Sequence, residues 1–181
     1  MKKREDNIFL PAGWCSFFCS LFVAGAVFLD QYTKLLAASH LKGKEAVSLI
    51  PGILELKYLY PENRGIAFGM FQGSTAFFAA VSMILFVLIV WVFVRIPKKQ
   101  YYVPLMAVCV LMLSGALGNM IDRVFRGYVI DFIYISLIDF PVFNMADIYV
   151  VCGGILLVIL VFFKYKNDDD FDFLSFRKKE R

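Results

Sequence analysis

The chain has 181 residues, of which 60% are hydrophobic, 17% aromatic and 19% charged, with 20 Phe and a formal net charge of +4. Soluble domains are about 45–50% apolar, so this composition excludes a disordered chain, a disulfide scaffold and a soluble globular domain, and requires an apolar solvent. The length suits one membrane domain of a few spans with no separate soluble catalytic domain, so any chemistry sits in or beside the bilayer.

The first uncharged run, Asn7 to Leu29, is longer than the roughly 7–15-residue apolar stretch of a secretory signal peptide, and predicts a retained helix over about 8–30. A second run covers Gly65 to Val94. Its helix is expected to begin near Ser74, after the glycine-rich stretch Gly69 to Gly73, and to fill 74–95. The short basic connection Arg95-Ile96-Pro97-Lys98-Lys99 leads into a third run, Gln100 to Ile121, predicted as a span over 101–121 that pairs with the second as an antiparallel hairpin. The last run, Ile148 to Phe163, gives only about 24 Å of helix against a hydrocarbon core of about 30 Å. Either the bilayer thins there, or the helix starts one turn earlier, over 144–164, and carries Asn144 and Asp147 to membrane depth. One integral-membrane domain over 1–166 is therefore expected, with 167–181 as a disordered cytoplasmic tail.

Four spans put both termini on one side. Twelve of the nineteen Lys and Arg residues lie at the N-terminus, in Arg95 to Gln100 and in the tail, and seven are spread over Asp30 to Ser74 and Asp122 to Asp147. The positive-inside rule then makes the termini cytoplasmic. Alternating stretches in the opposite segments, such as Ile53 to Leu59, suggest short strands at the membrane surface. The fold class is an all-α membrane protein, a four-transmembrane-helix bundle with small extracytoplasmic β elements. The four cysteines (Cys15, Cys19, Cys109, Cys152) lie in apolar runs without a CxxC pair and read as small hydrophobes, and with one histidine, His40, the usual metal sets and Ser-His triads are unavailable.

Once the cytoplasmic charges are set aside, the remaining polar residues gather at the outer helix ends: Asp30, Lys34, Asn63, Arg64, Asn119, Asp122, Arg123, Asp131, Asn144 and Asp147. Ionisable residues at a bilayer boundary face a bundle interior or a watery cavity, and are candidates for function. Asp30 and Lys34 have the spacing of an ion pair that could simply finish span one. Asn119 and Arg123 share that spacing, with Arg123 also favoured by the helix C-terminus, so structural support and substrate contact are both open. Asn144 and Asp147 have the spacing of an N-cap and its third helical residue, which accounts for Asn144 without chemistry. The shortness of the last span favours a functional Asp147. Asp131 lies among Val129, Ile130, Phe132 and Ile133 with no base within four residues, and burial alone would raise its pKa. Were Asp131 and Asp147 to meet, repulsion would leave one protonated and one ionised, so that one activates water while the other donates a proton. Gly115 and Gly118, beside Ser114 and Ala116, read as a close helix-packing face.

Asp30-Gln31-Tyr32-Thr33-Lys34, Asn63 to Gly69, Gly115 to Arg123, Val129-Ile130-Asp131-Phe132 and Phe143-Asn144-Met145-Ala146-Asp147 occur in this order, and in them the chain resembles the lipoprotein signal peptidase (signal peptidase II) family. The resemblance covers Asp30 to Asp147, with Ile66 a departure where the family often has Ala. It implies an aspartic endopeptidase of the bacterial inner membrane that removes the signal peptide from prolipoproteins just before a diacylglyceryl-modified cysteine. Asp131 and Asp147 would be the catalytic pair. Asp30, Lys34, Asn63, Asn119, Asp122, Arg123 and Asn144 would order the site or contact substrate, with Asp122 as support rather than catalyst. The implied partners are diacylglyceryl-modified prolipoproteins and membrane phospholipids, without nucleic acid, cofactor or metal, and a single chain carries every residue the mechanism needs. The alternative reading is a small proton- or cation-coupled transporter, since carboxylates near Lys and Arg also mark ion paths. Against it, these groups lie at one end of the bundle only.

Overall fold

The structure, a computed structural model, describes residues 11–65 and 75–175. Residues 1–10, 66–74 and 176–181 fall outside it, and with them the N-terminal basic residues, Ile66, the glycine-rich entry to the second span and the basic end of the tail. Among the described residues four helices are long and apolar enough to cross a membrane: α1 (Ala12–His40), α2 (Thr75–Arg95), α3 (Val103–Phe125) and α4 (Met145–Phe163). Helix α3 is the hub, with 56% of its most apolar window buried against 6% for α2. The large apolar side chains of the other helices, among them Phe22, Phe28, Ile84 and Phe162, stay exposed, as lipid contact requires.

Two helices run past the first charge that should have ended them. α1 continues ten residues beyond Asp30, to His40, rather than stopping near residue 30, and α3 passes Asp122 and Arg123 to reach Phe125. The reason is pairing: Asp30, Lys34 and Asp122 are fully buried against one another, so those charges lie inside the bundle and the helices have no need to end. α4 begins at Met145, one turn ahead of its uncharged run, with Asn144 as its N-cap.

Between α1 and α2 lie β1 (Val47–Ile50) and β2 (Leu54–Leu56), and between α3 and α4 lies β3 (Ile133–Tyr134). They form one antiparallel sheet in the order β1-β2-β3, with Val47 opposite Leu56 and Leu56 opposite Ile133. A small core of Ala37, Leu41, Tyr58, Ile130 and Phe132 seats this sheet on the end of α1. The larger core lies at the opposite end of the bundle, around Cys15, Ile96, Tyr102, Met106, Cys109, Leu160 and Tyr165.

The tail is a correction. Residues 168–174 form a 3-10 helix rather than disordered chain. Asp170 is fully buried and accepts hydrogen bonds from the Tyr101 hydroxyl (3.0 Å) and from the Asn167 N–H (2.9 Å). Tyr102 donates to the Asp170 carbonyl at 3.0 Å, and Phe171 and Phe173 pack on Tyr165 and Tyr102. Satisfied polar groups and a ring cluster give this segment what a solvated acidic run lacks.

Candidate active site

Asp131 is delivered by the chain that leaves α3. Gly127, at φ +75°, makes the turn that a side chain would strain. The following residues run between two partners. The Val129 N–H donates to Asn63 O at 2.8 Å and the Leu59 N–H donates to Asp131 O at 3.0 Å, while Phe143 pairs with Ile133 on the other side. Side chains alternate along such an extended segment: Ile130 and Phe132 enter the small core, and Asp131 between them turns the other way. This is how a carboxylate comes to lie in an apolar stretch.

Asp147 is fixed by the start of α4. The Asp147 N–H donates to Asn144 Oδ1 and the Asn144 N–H donates to Asp147 Oδ2, both at 3.1 Å, forming a capping box. The Asn144 side chain then reaches Asp131, its Nδ2 donating to Oδ1 at 2.7 Å, and also donates to Asn119 Oδ1 at 3.1 Å. Asn63 Nδ2 donates to the other oxygen of Asp131 at 2.9 Å, and Asn119 Nδ2 donates to Asp147 Oδ1 at 2.8 Å. The two carboxyl groups line one cavity of about 440 Å³ with Asn63, Gly65 and Arg123, and its other walls include Phe140, Val142, Ile148, Val151 and Cys152. That volume is within the usual range for a ligand site. Arg123 donates to the carbonyl of Asn119 at 3.4 Å and otherwise faces the cavity.

Below this layer lies a layer of buried charge. Lys34 Nζ is 2.8 Å from Asp30 Oδ2 and 2.9 Å from Asp122 Oδ2, with none of the three side chains exposed, and it donates to Asn119 Oδ1 at 3.1 Å. The remaining contacts of the two acids show what the cluster does. Asp30 Oδ1 accepts the Ala146 N–H at 2.9 Å, and Asp122 Oδ2 accepts the Ile130 N–H at 3.3 Å. Each buried acid thus holds the residue immediately before one of the cavity aspartates. The helices come close enough only because of two glycines. A Cβ on Gly115 would lie 2.4 Å from the Ala146 carbonyl oxygen, and one on Gly118 would lie 2.6 Å from Asp30 Oδ2.

Burial and the negative charge of Asp147 push the Asp131 carboxyl from 3.8 up to about 6, against the hydrogen bonds from Asn63 and Asn144 and the charge of Lys34. Asp131 therefore keeps a proton where an ordinary carboxylate has lost it.

The sequence-predicted residues converge in one place: Asp131, Asp147, Asn63 and Arg123 on the cavity, Asn119 and Asn144 on the carboxyl groups, and Asp30, Lys34 and Asp122 beneath them. Sequence reasoning missed Gln31 and Arg126. Gln31 Nε2 donates to Asp30 Oδ2, Asp122 Oδ1 and the Gly118 carbonyl, and Arg126 bridges Asp122 and Gln31. The signal for Arg126 was its i,i+4 spacing from Asp122.

Residues 22–163 match the family model described as "Signal peptidase (SPase) II". The chain is 41% identical over 145 residues to the lipoprotein signal peptidase of Caldanaerobacter subterraneus, covering 80% of this chain and 95% of that protein. It is 37% identical to that of Clostridium acetobutylicum, covering 82% and 96%. Among solved structures, a bacterial membrane enzyme at 2.3 Å superposes with a TM-score of 0.76 at 29% identity, covering 97% of this chain and 99% of that one. A second, at 1.9 Å, gives 0.71 at 30% identity, covering 88% and 98%. The match extends from the helices through the elements that carry the cavity, and the chain belongs to the signal peptidase II family of membrane peptidases.

Proposed function

We propose that this peptidase is an aspartic endopeptidase of the bacterial inner membrane, which cleaves diacylglyceryl-modified prolipoproteins on the N-terminal side of the lipidated cysteine. The observation that carries the reading is the shared cavity of Asp131 and Asp147, joined through Asn144. In this reading Asp131, the more buried acid and the one whose carboxyl is pushed up, is the proton donor of the pair. Asp147, as the base, takes a proton from a water, whose oxygen attacks the scissile carbonyl carbon while Asp131 protonates the carbonyl oxygen. The resulting gem-diol returns a proton to Asp131 as the C–N bond breaks, and Asp147 passes its proton to the leaving nitrogen. Arg123, on the cavity wall, orients the polar backbone of the substrate. Both termini are cytoplasmic and the site lies near the extracytoplasmic face, following the distribution of Lys and Arg. The acyl chains stay in lipid and hold the scissile bond at the depth of the cavity, so recognition becomes largely a matter of position.

The reading is tested by a gel-shift assay in detergent or lipid on one prolipoprotein with and without diacylglyceryl on its cysteine. Cleavage of the lipidated form alone is expected. Equal cleavage of both forms would overturn the lipid-positioning reading, and no cleavage together with proton flux in liposomes would favour the transporter.

A further inference from the structure

Arg126 follows α3 directly and its N–H donates to the Asp122 carbonyl at 2.8 Å. Its Nη1 donates to Gln31 Oε1 at 2.8 Å and to Asp122 Oδ1. Gln31 Nε2 in turn donates to Asp122 Oδ1, Asp30 Oδ2 and the Gly118 carbonyl, each at 3.1 Å. By engaging the oxygen of the Gln31 amide, Arg126 decides which end of that amide faces the acids.

The charge balance gives Arg126 a second task. Asp30, Asp122 and Lys34 have side chains with 0% exposure, and two carboxylates with one ammonium leave one negative charge in excess. Arg126, whose side chain is 23% exposed, brings the sum to zero. An excess charge in such a place is strongly unfavourable. With Oδ1 of Asp122 held by Arg126 and Gln31, its Oδ2 is left to meet Lys34 Nζ and the Ile130 N–H, one residue ahead of Asp131. Arg126 is not among the residues lining the cavity.

We propose that Arg126 is a positioning residue: with Gln31 it neutralises the Asp30–Lys34–Asp122 cluster and holds Asp122 so that the backbone entering Asp131 stays fixed. The inference rests on the reading of Asp131 and Asp147 as the reacting pair. The groups that face Asp131 are Asp147 and Asn144 at the start of α4, Asn63 after β2, Lys34 on α1, and Arg123 on α3, while Asp122 reaches only the Ile130 N–H before it. Lys34, the cation of this set, is paired with Asp30 and Asp122, so removing the Arg126 charge leaves the cluster beneath Asp131 with one negative charge in excess, which opposes ionisation of Asp131.

The test compares kcat, KM and the pH dependence of kcat/KM for wild type, Arg126→Met, Arg126→Lys and Arg126→Met/Asp122→Asn on a diacylglyceryl-modified prolipoprotein. Arg126→Met is expected to lose about tenfold in kcat with KM changed less than about twofold, and its alkaline limb to move to higher pH. Arg126→Lys keeps the charge and the wild-type limb. Wild-type kcat and limb in Arg126→Met, with only a lower Tm, or a rise in KM alone, would overturn the proposal. Should Arg126→Met fail to fold, the double variant decides: its charge is balanced again and its limb is expected at the wild-type position, and a limb moved upward overturns the charge argument. Absence of cleavage by wild type would instead overturn the reading of the aspartate pair.

Discussion

Asn144 and Asp131 stand 13 positions apart, and the Asn144 amide donates to the Asp131 carboxyl at 2.7 Å while its own backbone N–H donates to Asp147 at 3.1 Å. One residue therefore ends a loop, starts a helix and touches both carboxyl groups. Serine in its place keeps an N-cap oxygen but cannot reach Asp131. Asn144→Ser is expected to leave Tm within a few degrees of wild type while kcat falls by about tenfold or more. A large fall in Tm with kcat unchanged would reduce Asn144 to a helix cap.

Asn63 gives a prediction in pH. Its hydrogen bond to Asp131 stabilises the carboxylate and so works against burial, which pushes that carboxyl up to about 6. Removing the donor raises the pKa further. If Asp131 must hold the proton for catalysis, activity is lost as pH rises through that pKa, so Asn63→Ala shifts the alkaline limb of kcat/KM to higher pH. An alkaline limb left in place, with the acid limb moved to higher pH instead, would mean that ionised Asp131 is the active form.

Lys34 supports the site from below. Lys34→Met would leave Asp30 and Asp122 facing each other without a buried cation, where breaking such a pair costs about 3–5 kcal/mol. Thermal unfolding in detergent should show a large loss of Tm, partly recovered in Lys34→Met/Asp122→Asn. A change of only a degree or two would show that the cluster is hydrated.

The glycines separate close packing from mere smallness. A Cβ on Gly115 meets the Ala146 backbone oxygen and Val150, whereas one on Gly154 meets nothing within 4 Å. Gly115→Ala should destabilise by about 1–3 kcal/mol, as overpacking does, and lower activity by displacing the start of α4. Gly154→Ala should be neutral or slightly stabilising. Equal effects at both positions would contradict the packing.

Much of this was legible in the sequence because hydrocarbon imposes long apolar runs, and because a lone acid between Ile130 and Phe132 has no ordinary explanation in an alternating segment. The capping spacing of Asn144 and Asp147 was legible for the same local reason. What escaped were relationships between helices. Lys34 and Asp122 lie 88 residues apart, so the local spacings of Asp30 with Lys34 and of Asp122 with Arg126 do not show that these groups meet inside the bundle and that α1 and α3 therefore run on. The ring cluster that folds residues 168–174 back onto Tyr101 and Tyr102 is equally non-local. The sequence alone predicts only a disordered tail there.

The central claim is that Asp131 and Asp147 together activate water, and it is tested most directly by cleavage of a diacylglyceryl-modified prolipoprotein by wild type, Asp131→Asn and Asp147→Asn, each confirmed to be folded. Both variants are expected to lose at least about 10²–10⁴-fold in kcat, the share of a positioned acid or base. Substantial turnover by either folded variant would contradict the account.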